Sequence, residues 1–266
     1  MSEHLRVLET GAGFYKTLAA EFCGTARAAI AQKGEFTVAL SGGNTPVPLY
    51  ERLAEENGLS ATEWNRISIF QSDERCVPPD HPRSNYRMIY DTLLSRLGSS
   101  TPDVHRMRGE WDPEKAAEDY EHEIRTAMRA VSHRGHSTGH ATEHATGHAT
   151  MGLDLILLGL GSDGHTASLF PGGSAIGETT RLVMAQKPES QPEPRLTFTP
   201  AVFCAARQVW VIARGAEKAA IARKVLLGPV ASAVLPAQVL RGLAQVTWWL
   251  DRDAAKDLCD SEATLT

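Results

Sequence analysis

The sequence predicts an α/β fold built on a mostly parallel central sheet, and three observations carry that prediction. Short apolar runs rich in β-branched residues recur along the chain, and they are nearly continuous rather than alternating, as strands buried on both faces are. Segments of helical periodicity lie between them. Glycine-rich turns follow several of the runs, at the ends where ligands bind in such sheets.

Strands are expected over Phe36 to Leu40, Ile67 to Gln71, Leu153 to Gly159, Gln208 to Ala213 and Val246 to Leu250. The first helix is marked by Phe14, Leu18, Phe22 and the Ala26 to Ile30 stretch, which form one apolar face. Further helices are expected over Pro48 to Glu56, Asn85 to Leu97, Pro113 to Ala130 and Ala216 to Leu227. Ser84 is placed to cap the second of these, and Asp80 to Asn85 reads as a loop that borders a site. Pro236 suits the first turn of a helix over Ala237 to Arg241. The alternation implies helices on both faces of the sheet and one domain over residues 1–266.

The segment from His133 to Thr150 breaks this pattern, with His136, His140, His144 and His148 spaced four apart. In a helix those imidazoles would share a face and could share a metal. With almost no apolar residue to bury, the tract reads instead as a flexible insertion at 133–150.

Bulk chemistry narrows the function. The net charge of -5 gives no basic footprint for nucleic acid or an anionic membrane. No apolar run reaches the length that spans a bilayer, and Met1 to His4 begin no signal-peptide core. Cys23, Cys76, Cys204 and Cys259 are scattered, with no redox or zinc spacing; they read as small buried hydrophobes in a reducing cytoplasm. No metal and no cofactor is expected. Adjacent Trp248 and Trp249 suit either an interface or burial, and the oligomeric state stays open with a monomer as the default.

Three turns carry the chemistry. Ser41-Gly42-Gly43-Asn44-Thr45-Pro46 follows the first predicted strand, and its glycines would let backbone N–H groups and the next helix's dipole approach an anion. No Gly-Lys-Ser/Thr follows, so it is no Walker loop; an ordinary strand-to-helix turn is the plainer alternative. Ser72-Asp73-Glu74-Arg75 reads as a charged turn, with Arg75 forking onto phosphate or carboxylate and Asp73 or Glu74 orienting it. A structural ion pair is its alternative.

The third turn, Gly159 to Ser168, displays Asp163 and His165 after an apolar strand. Gly159, Gly161 and Gly164 formally match a dinucleotide fingerprint, but Pro171, Gly172 and Gly173 would end its helix too soon. A histidine here can take a proton from water while the carboxylate holds its tautomer. Arg195 and Lys218 complete a possible anion site; Lys218 is expected in a helix's first turn, where a cation is disfavoured unless an anion is nearby.

Together the SGGNTP, SDER, GLGSDGHTASLFPG, RLTFTP, RGAEK and LPAQVL segments, in this order, resemble the 6-phosphogluconolactonase family, within a group that includes glucosamine-6-phosphate deaminases. The resemblance spans about residues 36 to 241. It implies a Rossmann-like three-layer α/β/α fold with a small accessory portion. It also implies metal-free hydrolysis of 6-phospho-D-glucono-1,5-lactone to 6-phosphogluconate in the pentose phosphate pathway. His165 resembles the family's general base, and Gly42, Gly43, Arg75, Arg195 and Lys218 fall where members gather phosphate and polar groups; which touches which stays open. The deaminase branch typically continues Asp-Gly-His toward Asn-Glu-Pro, and Phe170 stands here where that branch has its glutamate.

Overall fold

A computed structural model describes residues 4–55, 58–134, 152–189 and 191–258. In chain order the first half runs β1 (His4–Leu8), α1 (Ala12–Lys33), β2 (Phe36–Leu40), α2 (Val47–Leu53), α3 (Ala61–Trp64), β3 (Ile67–Gln71), β4 (Asp73–Arg75), α4 (Asn85–Thr92), β5 (Asp103–Val104) and α5 (Pro113–Arg134). The second half runs β6 (Leu155–Gly159), β7 (Val183–Gln186), β8 (Arg195–Phe198), α6 (Pro200–Ala205), β9 (Val209–Ala213), α7 (Ala219–Leu227), β10 (Val246–Asp251) and α8 (Arg252–Ala255).

Seven strands form a parallel sheet in the order β1-β10-β9-β6-β2-β3-β5. The apolar runs supply its centre because their residues alternate between two cores. Val38, Leu40, Ile67, Ile69, Leu155, Leu157 and Trp249 pack with α1, α2 and α4, whereas Ala39, Phe70, Ile156, Leu158 and Trp248 pack with α5, α6 and α7. Three layers follow, as expected of the fold class. Trp248 and Trp249 are both buried, on opposite faces, so neither is available to an interface.

The first helix obeys its apolar stripe, burying Phe14, Leu18, Phe22 and Ala26, and ends where Gly34 turns left-handed and donates to the Ile30 carbonyl. Other boundaries moved. The helix expected to Glu56 ends at Leu53, and the one expected to Leu97 breaks at Leu93, whose φ of -127° leaves the helical region. Ala216–Lys218 and Pro236–Leu240 are 3₁₀ turns rather than α-helix. The strand expected from Leu153, β6, begins at Leu155, because buried Asp154 turns instead to Thr37 N, at 2.8 Å, and to Lys33, at 2.8 Å. Cys23 is buried but Cys204 is exposed, against the expectation that the cysteines are all core. The four evenly spaced histidines and Cys259 lie outside the described residues. Among the described residues no helix is long and apolar enough to cross a membrane.

The largest departure is a second sheet, antiparallel, in the order β4-β8-β7. Ser72 to Arg75 is therefore not a turn. Its backbone continues from β3 into β4 and pairs with β8, with Asp73 opposite Thr197 and Arg75 opposite Arg195.

Candidate active site

The order of the parallel sheet reverses at β2, whose neighbours are β3 and β6. Loops leaving adjacent strands diverge there, opening a crevice at their carboxyl ends. A cavity of about 470 Å3 occupies this crevice, lined by Ser41, Gly42, Gly43, Asn44, Asp73, Arg75, His165, Arg195 and Lys218. Of the eleven residues singled out from sequence, these nine share one pocket, and Glu74 and Asp163 do not line it. Asp163 lies behind the His165 ring rather than on the wall.

His165 Nδ1 and Asp163 Oδ1 are 2.5 Å apart, and the same oxygen accepts the His165 backbone N–H at 3.1 Å. The hydrogen bond from His165 holds the Asp163 carboxyl below its ordinary range. The carboxylate therefore fixes Nδ1 as the protonated nitrogen and leaves Nε2 free to accept. The ring leans on Phe170, centroids 4.7 Å apart. The turn is closed by Gly161 N donating to His165 O at 2.8 Å and by Thr166 Oγ1 donating to Gly159 O at 2.9 Å. Ala167 beside it has φ of 47°, a strained value that the tight Thr166–Leu169 pairing imposes.

A Cβ on Gly161 would overlap the His165 ring itself. Gly161→Ala should therefore swing the imidazole out of register and lower kcat about tenfold or more, with the fold retained. Far-ultraviolet circular dichroism alongside a rate assay checks this; a fully active variant would show that the ring tolerates displacement.

The basic wall is the work of the second sheet. Arg75 and Arg195 stand directly opposite across the β4–β8 ladder, a like-charge pair whose repulsion the nearby carboxylates of Asp73, Glu193 and Glu74 offset in part and a bound anion would offset further. Arg195 is 5% exposed; its Nη2 donates to Gln191 Oε1 at 2.5 Å, but Nε and Nη1 are buried without a partner. Burial, and then the charge of Arg75, push its guanidinium below the ordinary value. Arg75 Nη1 donates to the Arg83 carbonyl at 2.6 Å.

Neither acidic neighbour orients Arg75 in the way its sequence suggested. Glu74 is buried, and its carboxylate accepts from Asn85 N at 2.7 Å, Tyr86 N at 2.8 Å, Ser84 Oγ at 3.0 Å and Gln71 Nε2 at 2.9 Å. It caps α4, and burial still raises its pKa despite those donors. Glu74→Ala should orphan them together and destabilise the fold by about 2–4 kcal/mol in chemical denaturation. A smaller loss would mean that water replaces the carboxylate. Asp73, in contrast, faces the pocket and accepts Ser168 Oγ at 2.7 Å, while Asn85 Nδ2 donates to its carbonyl at 2.9 Å.

Lys218 ends the 3₁₀ turn before α7, reaching the wall from the far side. Among the described residues the Gly42 and Gly43 N–H groups meet no acceptor, and they border the cavity. Helix α2 has only seven residues, so these loop amides, rather than a helix dipole, are the donors offered. Sequence reasoning missed Ser168, Gln191 and Glu217 on this wall and noted Asn85 only as a border residue. Ser168 closes the glycine-rich turn that carries His165, whereas nothing local distinguishes Gln191 or Glu217. Among the described residues no cluster of three His, Cys, Asp or Glu could hold a metal ion.

Comparison with known proteins bears on this arrangement. The family model described as glucosamine-6-phosphate isomerases/6-phosphogluconolactonase matches residues 9–249. A 6-phosphogluconolactonase of Synechocystis sp. is 38% identical over 231 residues, covering 86% of this chain and 88% of its own. One from Thermotoga maritima is 35% identical over 222 residues, covering 83% of this chain and 86% of its own. The solved structure of the Thermotoga maritima 6-phosphogluconolactonase superposes with a TM-score of 0.74 at 32% identity, covering 94% of this chain and 100% of that one. That of the Trypanosoma brucei 6-phosphogluconolactonase gives 0.76 at 29% identity, covering 97% and 99%. A monomeric glucosamine-6-phosphate deaminase shares the fold at 22% identity and a TM-score of 0.69. With the family model spanning most of its length and relatives above 30% identity, the chain belongs to the glucosamine-6-phosphate isomerase/6-phosphogluconolactonase family.

Proposed function

We propose that this protein hydrolyses 6-phospho-D-glucono-1,5-lactone to 6-phosphogluconate, with His165 as general base and no metal in the step. The observation that carries the reading is the pairing of a carboxylate-held histidine with a buried arginine whose Nε and Nη1 have no partner among the described residues, in one pocket. The curated relatives named 6-phosphogluconolactonase support the substrate.

His165 Nε2 takes a proton from water as the water oxygen bonds to C1 of the lactone. The carbonyl π electrons move to its oxygen, and Arg75 is the donor available to that oxyanion, which leaves the Gly42 and Gly43 amides to the substrate's phosphate. Collapse re-forms the carbonyl, breaks the bond from C1 to the ring oxygen, and that oxygen recovers the proton from His165. Asp163 stays ionised and stabilises the transient imidazolium. Arg195 and Lys218 supply positive charge toward the substrate's anionic groups. A soluble small molecule thus accounts for the polar wall. A cytoplasmic, single-domain enzyme is consistent with the composition and the sheet.

Acid release from freshly generated lactone, corrected for spontaneous opening, tests the proposal; no acceleration by the protein would end it. Deamination is the competing reading within the family. Phe170, against the His165 ring, leaves no carboxylate at the place of the deaminase glutamate. Ammonia release from glucosamine 6-phosphate should accordingly be absent.

A further inference from the structure

The loop from Ser41 to Thr45 presents its amides to the cavity, and two tyrosines hold it from behind. Tyr50 Oη, fully buried on α2, donates to the Ser41 carbonyl at 2.8 Å. Tyr15 Oη, buried on α1, donates to the Thr45 carbonyl at 2.6 Å. The two carbonyls at the ends of the loop are thereby drawn away from the pocket. Between them Gly43 takes a φ of 87°, and the Gly42 and Gly43 N–H groups are left without an acceptor among the described residues.

Tyr15 is itself tied to the opposite wall. The Arg214 guanidinium lies 4.6 Å over its ring and 5.0 Å over that of Phe14, and Arg214 Nε meets Asp251 Oδ2 at 3.3 Å. The other oxygen of Asp251 accepts Gly215 N at 3.0 Å, at the start of the turn that carries Glu217 and Lys218. One continuous set of contacts thus runs from the amide loop to the Lys218 turn, without touching the cavity.

We infer that Tyr15 and Tyr50 are positioning residues for anion binding: their hydroxyls aim the Gly42–Gly43 amides, and Tyr15, through Arg214 and Asp251, sets the loop's distance from Lys218. The inference rests on the proposed reading only in taking the bound anion to be the substrate's phosphate. Neither tyrosine is catalytic. Losing a hydroxyl lets one carbonyl rotate and the neighbouring peptide planes with it, so affinity falls while the histidine is undisturbed.

Inorganic phosphate is the probe, titrated calorimetrically into the full chain and into Tyr15→Phe, Tyr50→Phe and, as a control, Tyr90→Phe on the surface. Each of the first two should raise the phosphate Kd about three- to tenfold, with Tyr90→Phe unchanged. With the lactone, KM should rise by a similar factor while kcat stays within about twofold. A purely structural role would lower thermal stability without this split. If Tyr50→Phe fails to fold, Tyr15→Phe decides alone. Unchanged phosphate Kd in the folded variants overturns the inference, as does a wild-type chain that binds no phosphate. Phosphate binding weakened as described, in a chain that does not hydrolyse the lactone, would defeat the proposed function and leave the tyrosine roles standing.

Discussion

Replacing His165 by alanine should lower kcat for lactone opening roughly 10²- to 10⁴-fold, with KM changed by less than about threefold. The size follows from what the side chain supplies. Without it, water attacks with no base to accept its proton, and the departing ring oxygen has no acid to protonate it. The binding wall survives because His165 holds no part of it; its side-chain partners are Asp163 and the face of Phe170. Steady-state kinetics on freshly made lactone give the answer, with spontaneous opening subtracted. A variant retaining full kcat would remove His165 from the mechanism and direct attention to Asp73, the pocket's buried carboxylate.

Arg195→Met should move activity and stability in opposite directions. The arginine is buried with Nε and Nη1 unpaired among the described residues and Arg75 across the ladder, so the carboxylates of Asp73, Glu193 and Glu74 offset the cost of its burial only in part. Methionine fills similar volume without that desolvation penalty, and folding stability should hold or rise by up to about 2 kcal/mol. Binding should suffer, since two charge-assisted hydrogen bonds to an anion are lost, and kcat/KM should fall about 10²- to 10³-fold. Arg195→Lys should recover only part of this, because an ammonium cannot reproduce the planar fork. Thermal melts with and without phosphate separate the outcomes. A melting point that falls sharply in the methionine variant would make Arg195 a structural residue.

The histidine was legible because a glycine-rich turn after an apolar strand is a local pattern, complete within Leu153 to Ser168. The same holds for the sheet's centre: β2, β3, β6, β9 and β10 are continuous apolar runs, and parallel burial leaves that mark in composition. The outer strands were not legible. β1 is mostly exposed and β5 has two residues, so neither carries a hydrophobic run. Glu74 was read as a site residue because a charged cluster after a strand looks functional. Only the fold shows its carboxylate spent on the N-terminus of α4.

By itself, then, the sequence determined the parallel sheet, the crevice loops and the residue that can take a proton, because each depends on neighbours in the chain. What only the tertiary structure decided is the basic wall. Arg75 and Arg195 lie 120 positions apart in a chain of 266 and come together through an antiparallel β4–β8 ladder that short charged strands do not announce. Strand pairing between distant segments is fixed by backbone hydrogen bonds and by the packing of both sheets, not by local pattern. The two guanidiniums face one another only once that pairing has formed.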